Sequence, residues 1–225
     1  MLTFFGVERG LDQAPADVWP TGMAPFIRLI EDGTTTKFEV HDGLFGLLPH
    51  FAAEVAQGRR TYNARSETVA SLPSFRESWK KGWRCIIPAE SFYEPKHFED
   101  RKPERWIIQQ PMQVPMGIAG IYRQWRHPDG RELFTFAMLT VSADGHPVMQ
   151  QFHKPGDEKR MVVILDPADY GAWLSCPVPE APQFFKQWMG PLEAYPKPLP
   201  PRAPKTSSGK PVPPPAAPDG GLFGR

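Results

Sequence analysis

Short apolar runs separated by turn-forming residues fill the middle of the chain and predict β-strands. Residues 37–41 alternate polar and apolar side chains, and β-branched or aromatic runs follow at residues 83–88, 106–109, 117–122, 133–141 and 160–165. Asp129 and Gly130 lie between two of these runs and predict a hairpin turn over residues 127–130, because Asp-Gly supplies the positive φ that such a turn needs. A β-sheet should therefore dominate the fold.

Helical patterns are few. One helix is predicted between Ser71, as its N-cap, and Gly82, which follows its end. A second begins at Asp166 and continues through Leu174, and a third covers residues 182–189. Strands and helices do not alternate regularly, which disfavours a doubly wound parallel sheet. The predicted fold class is α+β, with a largely antiparallel, curled, barrel-like sheet and a few flanking helices.

Proline is the compositional outlier, with 28 residues in a chain of 225. Ten of these prolines lie in residues 196–225, a segment with almost no large apolar side chain. Such a segment buries too little surface to offset the entropy of ordering it. We expect residues 1–195 to form a single domain and residues 196–225 to form a disordered or polyproline-II tail, whose partner the sequence does not indicate.

Composition and missing motifs exclude several classes of protein. Hydrophobic residues make up 40% of the chain, as in soluble globular proteins, and no apolar run approaches the length of a membrane span. Cys85 and Cys176 are too few for a disulfide scaffold or a zinc ribbon, so we expect a cytoplasmic protein with both thiols packed structurally. Nucleotide-binding glycine loops and paired histidine ligands are missing from the sequence, so no cofactor or metal is expected.

Four polar residues remain as candidates for chemistry. Asn63 and Arg65 occupy alternate positions, so in an extended chain both side chains face one ligand, and arginine suits a phosphate. Glu94 follows an apolar run among aromatic residues, where desolvation would raise the pKa of its carboxyl and make it a general acid or base. His153 precedes a glycine-containing loop. The alternatives are a solvated strand face, a carboxylate paired with an arginine, and a surface histidine.

The order and spacing of several motifs resemble the SRAP family, the SOS-response-associated, abasic-site-processing proteins. The motifs are YNARSET at residues 62–68, RCIIPAESFYEP at 84–95, AGIY at 119–122 with Trp125, and His153 followed by RMVVIL at 160–165. Residues 46–49 are similar to the family's W-G-L-I-P segment, and residues 23–25 to its N-x-A-P segment. The likeness covers the chain from about Gly22 to Leu165.

The resemblance implies a function and assigns roles. Members of the family shield abasic sites in single-stranded DNA by a covalent thiazolidine link from an N-terminal cysteine, which methionine removal exposes. By resemblance Asn63 orients the N-terminal residue and the sugar, and Glu94 and His153 transfer protons, as in peptidase- and lyase-like chemistry. The implied DNA contacts are Arg65, Arg160, Phe45 and Pro49. The expected protein is a monomer in the cytoplasm, associated with the nucleoid when it is on DNA.

The sequence departs from the family pattern at its beginning. Residue 2 is Leu2 instead of cysteine, so Met1 is interpreted either as an internal methionine with residues before it or as the start of a variant without the nucleophile. Residues 154–159 also lengthen the segment between His153 and Arg160. Two other hypotheses stay open: a non-covalent binder of single-stranded or damaged DNA, and a small-molecule hydrolase that uses Glu94 with His153.

Overall fold

A closed five-stranded β-barrel lies at the centre of the structure, a computed structural model that describes residues 2–7, 17–31, 36–127 and 129–199. The strands within these ranges are β1 (Met23–Glu31), β2 (Thr36–Phe45), β3 (Asn63–Arg65), β4 (Arg84–Ala89), β5 (Ser91–Lys96), β6 (Glu104–Gln109), β7 (Met116–Arg126), β8 (Glu132–Ser142), β9 (Arg160–Val162), β10 (Ile164–Leu165) and β11 (Glu193–Pro196). Two short α-helices accompany them, α1 (Arg76–Lys80) and α2 (Tyr170–Ser175). Single 3₁₀ turns or short 3₁₀ helices occupy Leu2–Phe5, Val55–Arg60, Pro111–Gln113, Met149–Gln151, Pro167–Asp169 and Val178–Phe184.

The barrel closes through the pairings β1–β2, β2–β8, β8–β7, β7–β4 and β4–β1. This confirms the predicted α+β, barrel-like fold. The sheet is mixed, however, because β2 and β3 both run parallel to β8. The reason is that β2 pairs with the first half of β8 and β3 with its second half, so both strands enter along one edge of β8 in the same direction.

Glycine makes the change from β2 to β3 possible. The chain leaves β8 after Phe45 and turns at Gly46, whose φ is +130°. A Cβ atom at Gly46 would collide with the backbone of Gly58, which lies in the 3₁₀ helix Val55–Arg60. This close approach of two backbones brings β3 beside β8, with Asn63 opposite Met138.

The barrel interior combines large aromatic side chains with glycine positions that have no room for a side chain. Phe26 and Phe136 are buried there, with ring centroids 5.7 Å apart. Cys85 is also fully buried, and burial raises the pKa of its thiol, as expected for a structural cysteine. Outside the barrel, Trp173 of α2 packs against β4 and donates a hydrogen bond from Nε1 to the carbonyl oxygen of Cys85, at 2.9 Å.

A second, three-stranded sheet extends the barrel at one end. Its order is β11–β6–β5, all antiparallel, and β5 follows β4 after one intervening residue, Glu90. Glu94 in β5 therefore lies opposite Trp106 in β6. The chain remains in this sheet through Pro196, and the amide of Lys197 bonds to the carbonyl oxygen of Arg105. Residues 200–225 of the expected tail lie outside the described residues, so the division into domain and tail stays a prediction.

The predicted helices are confirmed in part. Gly82 follows α1 with φ of +66°, as expected, but Ser71 does not cap the helix, because its hydroxyl donates to the carbonyl oxygen of Thr68 in the turns before α1. Asp166 does act as a cap, since its Oδ1 accepts a bond from the amide of Ala168. No helix in the described ranges has the length and apolarity to cross a membrane.

The prediction of a helix over residues 182–189 is wrong. A 3₁₀ helix, Val178–Phe184, occupies the first part of this segment, and the chain beyond it is not helical. Pro182 lies inside the 3₁₀ helix and cannot donate the amide bond that an α-helix requires. Tertiary contacts hold the rest, since the carbonyl oxygen of Trp188 lies 2.7 Å from Nε2 of the buried His146.

A matched pair of glycine substitutions tests the packing of the barrel. At Gly120 a Cβ atom would lie 2.8 Å from the carbonyl oxygen of Ala137, and Gly171 in α2 has only Phe38 within 4 Å, at 3.9 Å. We expect Gly120→Ala to lower the free energy of unfolding by about 1–3 kcal/mol through overpacking. Gly171→Ala should raise it by up to about 1 kcal/mol through helix propensity. Urea unfolding measures both, and equal effects would contradict this account of the barrel interior.

Candidate functional site

Glu94 is a buried carboxyl group at the junction of the barrel and the second sheet. Only 17% of its side chain is exposed, and it lies opposite Trp106. Desolvation raises the pKa of Glu94 from 4.5 to about 8, in agreement with the expectation from its apolar surroundings. The carboxyl group is therefore largely protonated at neutral pH and can act as a general acid.

His153 is held beside Glu94 by a strained backbone. Its φ is +63°, an unusual value for a residue with a side chain, and its amide donates to the carbonyl oxygen of Pro95. Its Nε2 lies 3.8 Å from Oε2 of Glu94 and 2.9 Å from the carbonyl oxygen of Arg160. Because a carbonyl can only accept, Nε2 carries the hydrogen in the neutral ring, and Nδ1 is the atom that can take up a proton.

Arg160 links the histidine to β3 through a network of charges. Its guanidinium is buried and donates to the hydroxyl and carbonyl oxygens of Thr140, to both carboxylate oxygens of Glu67, and to Glu158. Burial opposes the charge on Glu67, but the bonds and charge of Arg160, together with bonds from the Glu67 backbone and Ser66, outweigh it, so the pKa of Glu67 lies below its usual value. The guanidinium is thus occupied by protein groups, and a phosphate contact by Arg160 stays a prediction.

Asn63 and Arg65 face solvent on β3, while Ala64 between them is fully buried, so the predicted alternation is confirmed. The Nη1 atom of Arg65 lies 3.1 Å from Oε2 of Glu158. Through Glu158, Arg65 is connected to Arg160 and from there to His153 and Glu94. The structure therefore brings Arg65, Arg160, His153 and Glu94 into one continuous set of contacts.

Phe45 and Pro49 do not offer an open stacking surface. Phe45 is half-buried, stacks on Phe136 with centroids 5.5 Å apart, and meets Tyr62 edge-on. Pro49 is buried. Their expected roles as DNA contacts stay predictions. Phe51, two residues further, is 55% exposed and is the aromatic side chain of this segment most open to a partner.

Two side chains were not among the candidates predicted from the sequence, Lys96 and Phe51. Lys96 shares a face of β5 with Glu94, its Nζ lies 3.9 Å from the ring centroid of Trp106, and it forms an isolated β-bridge with His153. The alternation of Glu94 and Lys96 along one strand could have indicated it. For Phe51, the indication was a large aromatic residue directly after a proline-containing turn.

Neither cysteine of the described residues belongs to this set of contacts. Cys85 is enclosed in the barrel, and Cys176 lies at the end of α2, where burial raises the pKa of its thiol. Within the described ranges, no three histidine, cysteine or carboxylate side chains are grouped as metal ligands. The expectation that no metal or cofactor takes part stays a prediction.

Comparison with known proteins yields consistent matches. The profile of the family described as SOS response associated peptidase (SRAP) matches residues 7–197. The abasic site processing protein YoqW of Bacillus subtilis is 30% identical over 168 residues, which cover 75% of this chain and 70% of that protein. The abasic site processing protein HMCES of Xenopus tropicalis is 28% identical, over 54% of this chain and 40% of that protein. A crystal structure from Bordetella bronchiseptica superimposes with a TM-score of 0.74 at 35% identity, covering 84% of this chain and 90% of that one.

The buried carboxyl of Glu94 predicts how stability depends on pH. The folded protein keeps the proton up to a pH of about 8, whereas the unfolded chain loses it near 4.5, so the free energy of unfolding should fall as the pH rises through this window. Glu94→Gln should remove the fall and be more stable than the parent at pH 9, by about 5 kcal/mol at most. Exposed Glu54→Gln is the matched control. Urea unfolding between pH 5 and 9 checks this, and parallel curves for parent and Glu94→Gln would refute it.

Proposed function

This chain belongs to the SOS response associated peptidase (SRAP) family, and we propose that it binds and processes abasic sites in single-stranded DNA. The observation that carries the proposal is the protonated, buried carboxyl of Glu94 beside His153, in contact through Arg160 and Glu158 with the exposed Arg65. An acid, a base and a phosphate-binding cation are thus available to one substrate. Relatives named as abasic site processing proteins support the choice of substrate.

Residues of β3 bind the DNA next to the abasic site. The guanidinium fork of Arg65 matches the phosphate next to an abasic sugar, and its present partner Glu158 is a carboxylate in the place of that phosphate. Asn63 lies two residues away on the same exposed face, where its amide can both donate to and accept from the sugar. A phosphate that binds Arg65 must displace Glu158, so this carboxylate competes with DNA.

Proton transfer falls to Glu94 and His153. The abasic sugar must open from its ring form to an aldehyde, which requires removal of the proton from its hydroxyl group and addition of a proton to the ring oxygen. Nδ1 of His153 can accept the first proton, and the neutral carboxyl of Glu94 can donate the second. The carboxyl of Glu94 starts in the protonation state that its step needs at neutral pH.

The covalent form of the reaction requires a thiol next to an α-amine. The amine nitrogen replaces the aldehyde oxygen, which leaves as water, and the sulfur then adds to the imine carbon while its proton moves to nitrogen, closing a thiazolidine. Cys85 and Cys176 lie elsewhere and both have raised thiol pKa values. Neither of these two thiols is placed to close the ring, and recognition of the abasic site without a covalent bond is the second candidate function.

A crosslinking assay tests the proposal and separates the two forms. Single-stranded DNA with one abasic site is incubated with the parent chain and with the variants Leu2→Cys and Leu2→Ser. Both variants are purified with Met1 removed, so that residue 2 carries the α-amine and only Leu2→Cys adds the neighbouring thiol. A heat-stable band on a denaturing gel with Leu2→Cys alone, lost in Leu2→Cys with Glu94→Gln, is the expected result for covalent processing. Tighter binding of the abasic strand than of an intact strand, without a band, selects non-covalent recognition. The absence of both a crosslinked band and a preference for the abasic strand would overturn the proposal.

Substituting each partner of the ion pair between Arg65 and Glu158 should have opposite effects on DNA binding and tests the role of Arg65. Arg65→Ala should weaken binding to single-stranded DNA and lower the slope of log K against log salt by about one unit, because one phosphate contact is lost. Glu158→Gln should strengthen binding, because it frees the guanidinium of Arg65. Exposed Glu99→Gln serves as the control for Glu158. Fluorescence anisotropy at several salt concentrations measures all three, and an unchanged slope in Arg65→Ala would show that it contacts no phosphate.

A further inference from the structure

A cavity of about 310 Å³ opens at the end of the barrel that lies away from Asn63 and Arg65. Its walls come from Arg28 in β1, Trp83 before β4, Tyr122 and Gln124 in β7, and Phe134 in β8. Along β8, Phe134 precedes Thr140, the partner of Arg65, by six residues, or about 20 Å of strand. The cavity is therefore separate from the site around Glu94.

The cavity is the mouth of the barrel. Tyr122 and Phe134 project inward with Phe26, whose ring closes the floor at centroid distances of 5.4 and 5.7 Å from them. Gln124 lies opposite Phe134 in the β7–β8 ladder and shares this face. Mouths of β-barrels are frequent positions for small-molecule sites, which combine apolar walls with a few polar groups.

The mouth contains Arg28, an arginine for which the described residues supply no anionic partner. The guanidinium of Arg28 is 4.8 Å from the ring centroid of Phe134 and 5.5 Å from that of Tyr122, whose hydroxyl takes a single bond from Nη1 at 3.3 Å. Its Nε is buried without a hydrogen-bond partner, and across the described residues no carboxylate reaches salt-bridge distance of Arg28. A half-buried cation of this kind is suited to an anion that a ligand brings.

The remaining walls are suited to a flat ring with a polar edge. Trp83 lies nearly parallel to Tyr122, at 27° with centroids 6.2 Å apart, and Lys81 is 4.5 Å from the centroid of Trp83. At the rim the amide of Gln124 donates to Glu132, which also holds Arg126. Amide and carboxylate groups offer donors and acceptors to the edge of a heterocycle, and aromatic faces stack on its plane.

We propose that the barrel mouth is a second binding site, for a nucleotide unit. The base stacks on Trp83 and Phe134, its edge bonds to Gln124, and its phosphate pairs with Arg28. A free mononucleotide and a single-stranded DNA both supply this unit. If the source is DNA, the site rests on the proposed function and binds the strand at a distance from the abasic sugar. If the source is a free nucleotide, it stands independently.

Calorimetric titration of the full chain tests the site with three probes: deoxyadenosine monophosphate, deoxyadenosine, and an intact single-stranded oligonucleotide. Arg28→Met should weaken binding of the monophosphate at least about fivefold while leaving deoxyadenosine nearly unchanged, and Trp83→Ala should weaken both. The matched control is Arg101→Met, because Arg101 also stacks on a ring, that of Phe98 at 3.8 Å, but lies outside the mouth. Thermal unfolding confirms that each variant is folded.

The three probes distinguish the two possible sources of the nucleotide unit, a free mononucleotide and a DNA strand. Loss of monophosphate binding in Arg28→Met and Trp83→Ala identifies a free nucleotide, and loss of oligonucleotide binding alone identifies the DNA strand. A second measurement covers the case in which Trp83→Ala does not fold. The indole N–H resonance of Trp83 is assigned by its disappearance in Trp83→Phe. In the parent protein this resonance should shift when the probe that binds is added. Unchanged affinities and an unshifted resonance with every probe overturn the site. The abasic crosslinking assay is measured separately, so its failure leaves this result standing.

Discussion

Pairing along β8 is the constraint on which the rest of the structure depends. This strand bonds to β7 and then β9 along one edge, and to β2 and then β3 along the other. The handover from β2 to β3 requires the backbones of Gly46 and Gly58 to touch. Because β3 consists of only three residues, its position comes from this handover, and so does the exposure of Asn63 and Arg65 on one face.

The charges near β3 follow from a single buried arginine. A guanidinium taken out of water needs partners for its donors, and Arg160 finds them in Thr140, Glu67 and Glu158. These contacts fasten β9 and the loop before it to β8 and to the turn after β3. As a consequence Glu158 reaches Arg65, and the carbonyl of Arg160 reaches His153. One structural requirement thus positions both Arg65 and His153, the groups proposed to bind phosphate and to act as the base.

The two ends of the barrel differ in the surroundings that they give to their titratable and charged groups. At one end the second sheet covers Glu94, and desolvation keeps its carboxyl protonated. At the other end the rings of Tyr122 and Phe134 surround the charge of Arg28, and burial and Arg28 together lower the pKa of the neighbouring His41. A protonated carboxyl group and a half-buried guanidinium are therefore separated by about the length of a strand.

Local patterns were enough to predict most strands, the cap at Asp166, the turn at Gly82 and the alternation of Asn63 with Arg65, because each depends on neighbours a few residues away. The burial of Glu94 was also predictable from the apolar residues beside it. Tertiary structure decided the parallel pairings of β8, the non-helical path of the chain after Phe184, and the enclosure of Arg160. It also placed Arg28 against Phe134, two residues more than a hundred positions apart. No local pattern records such contacts, since they arise only when the barrel closes.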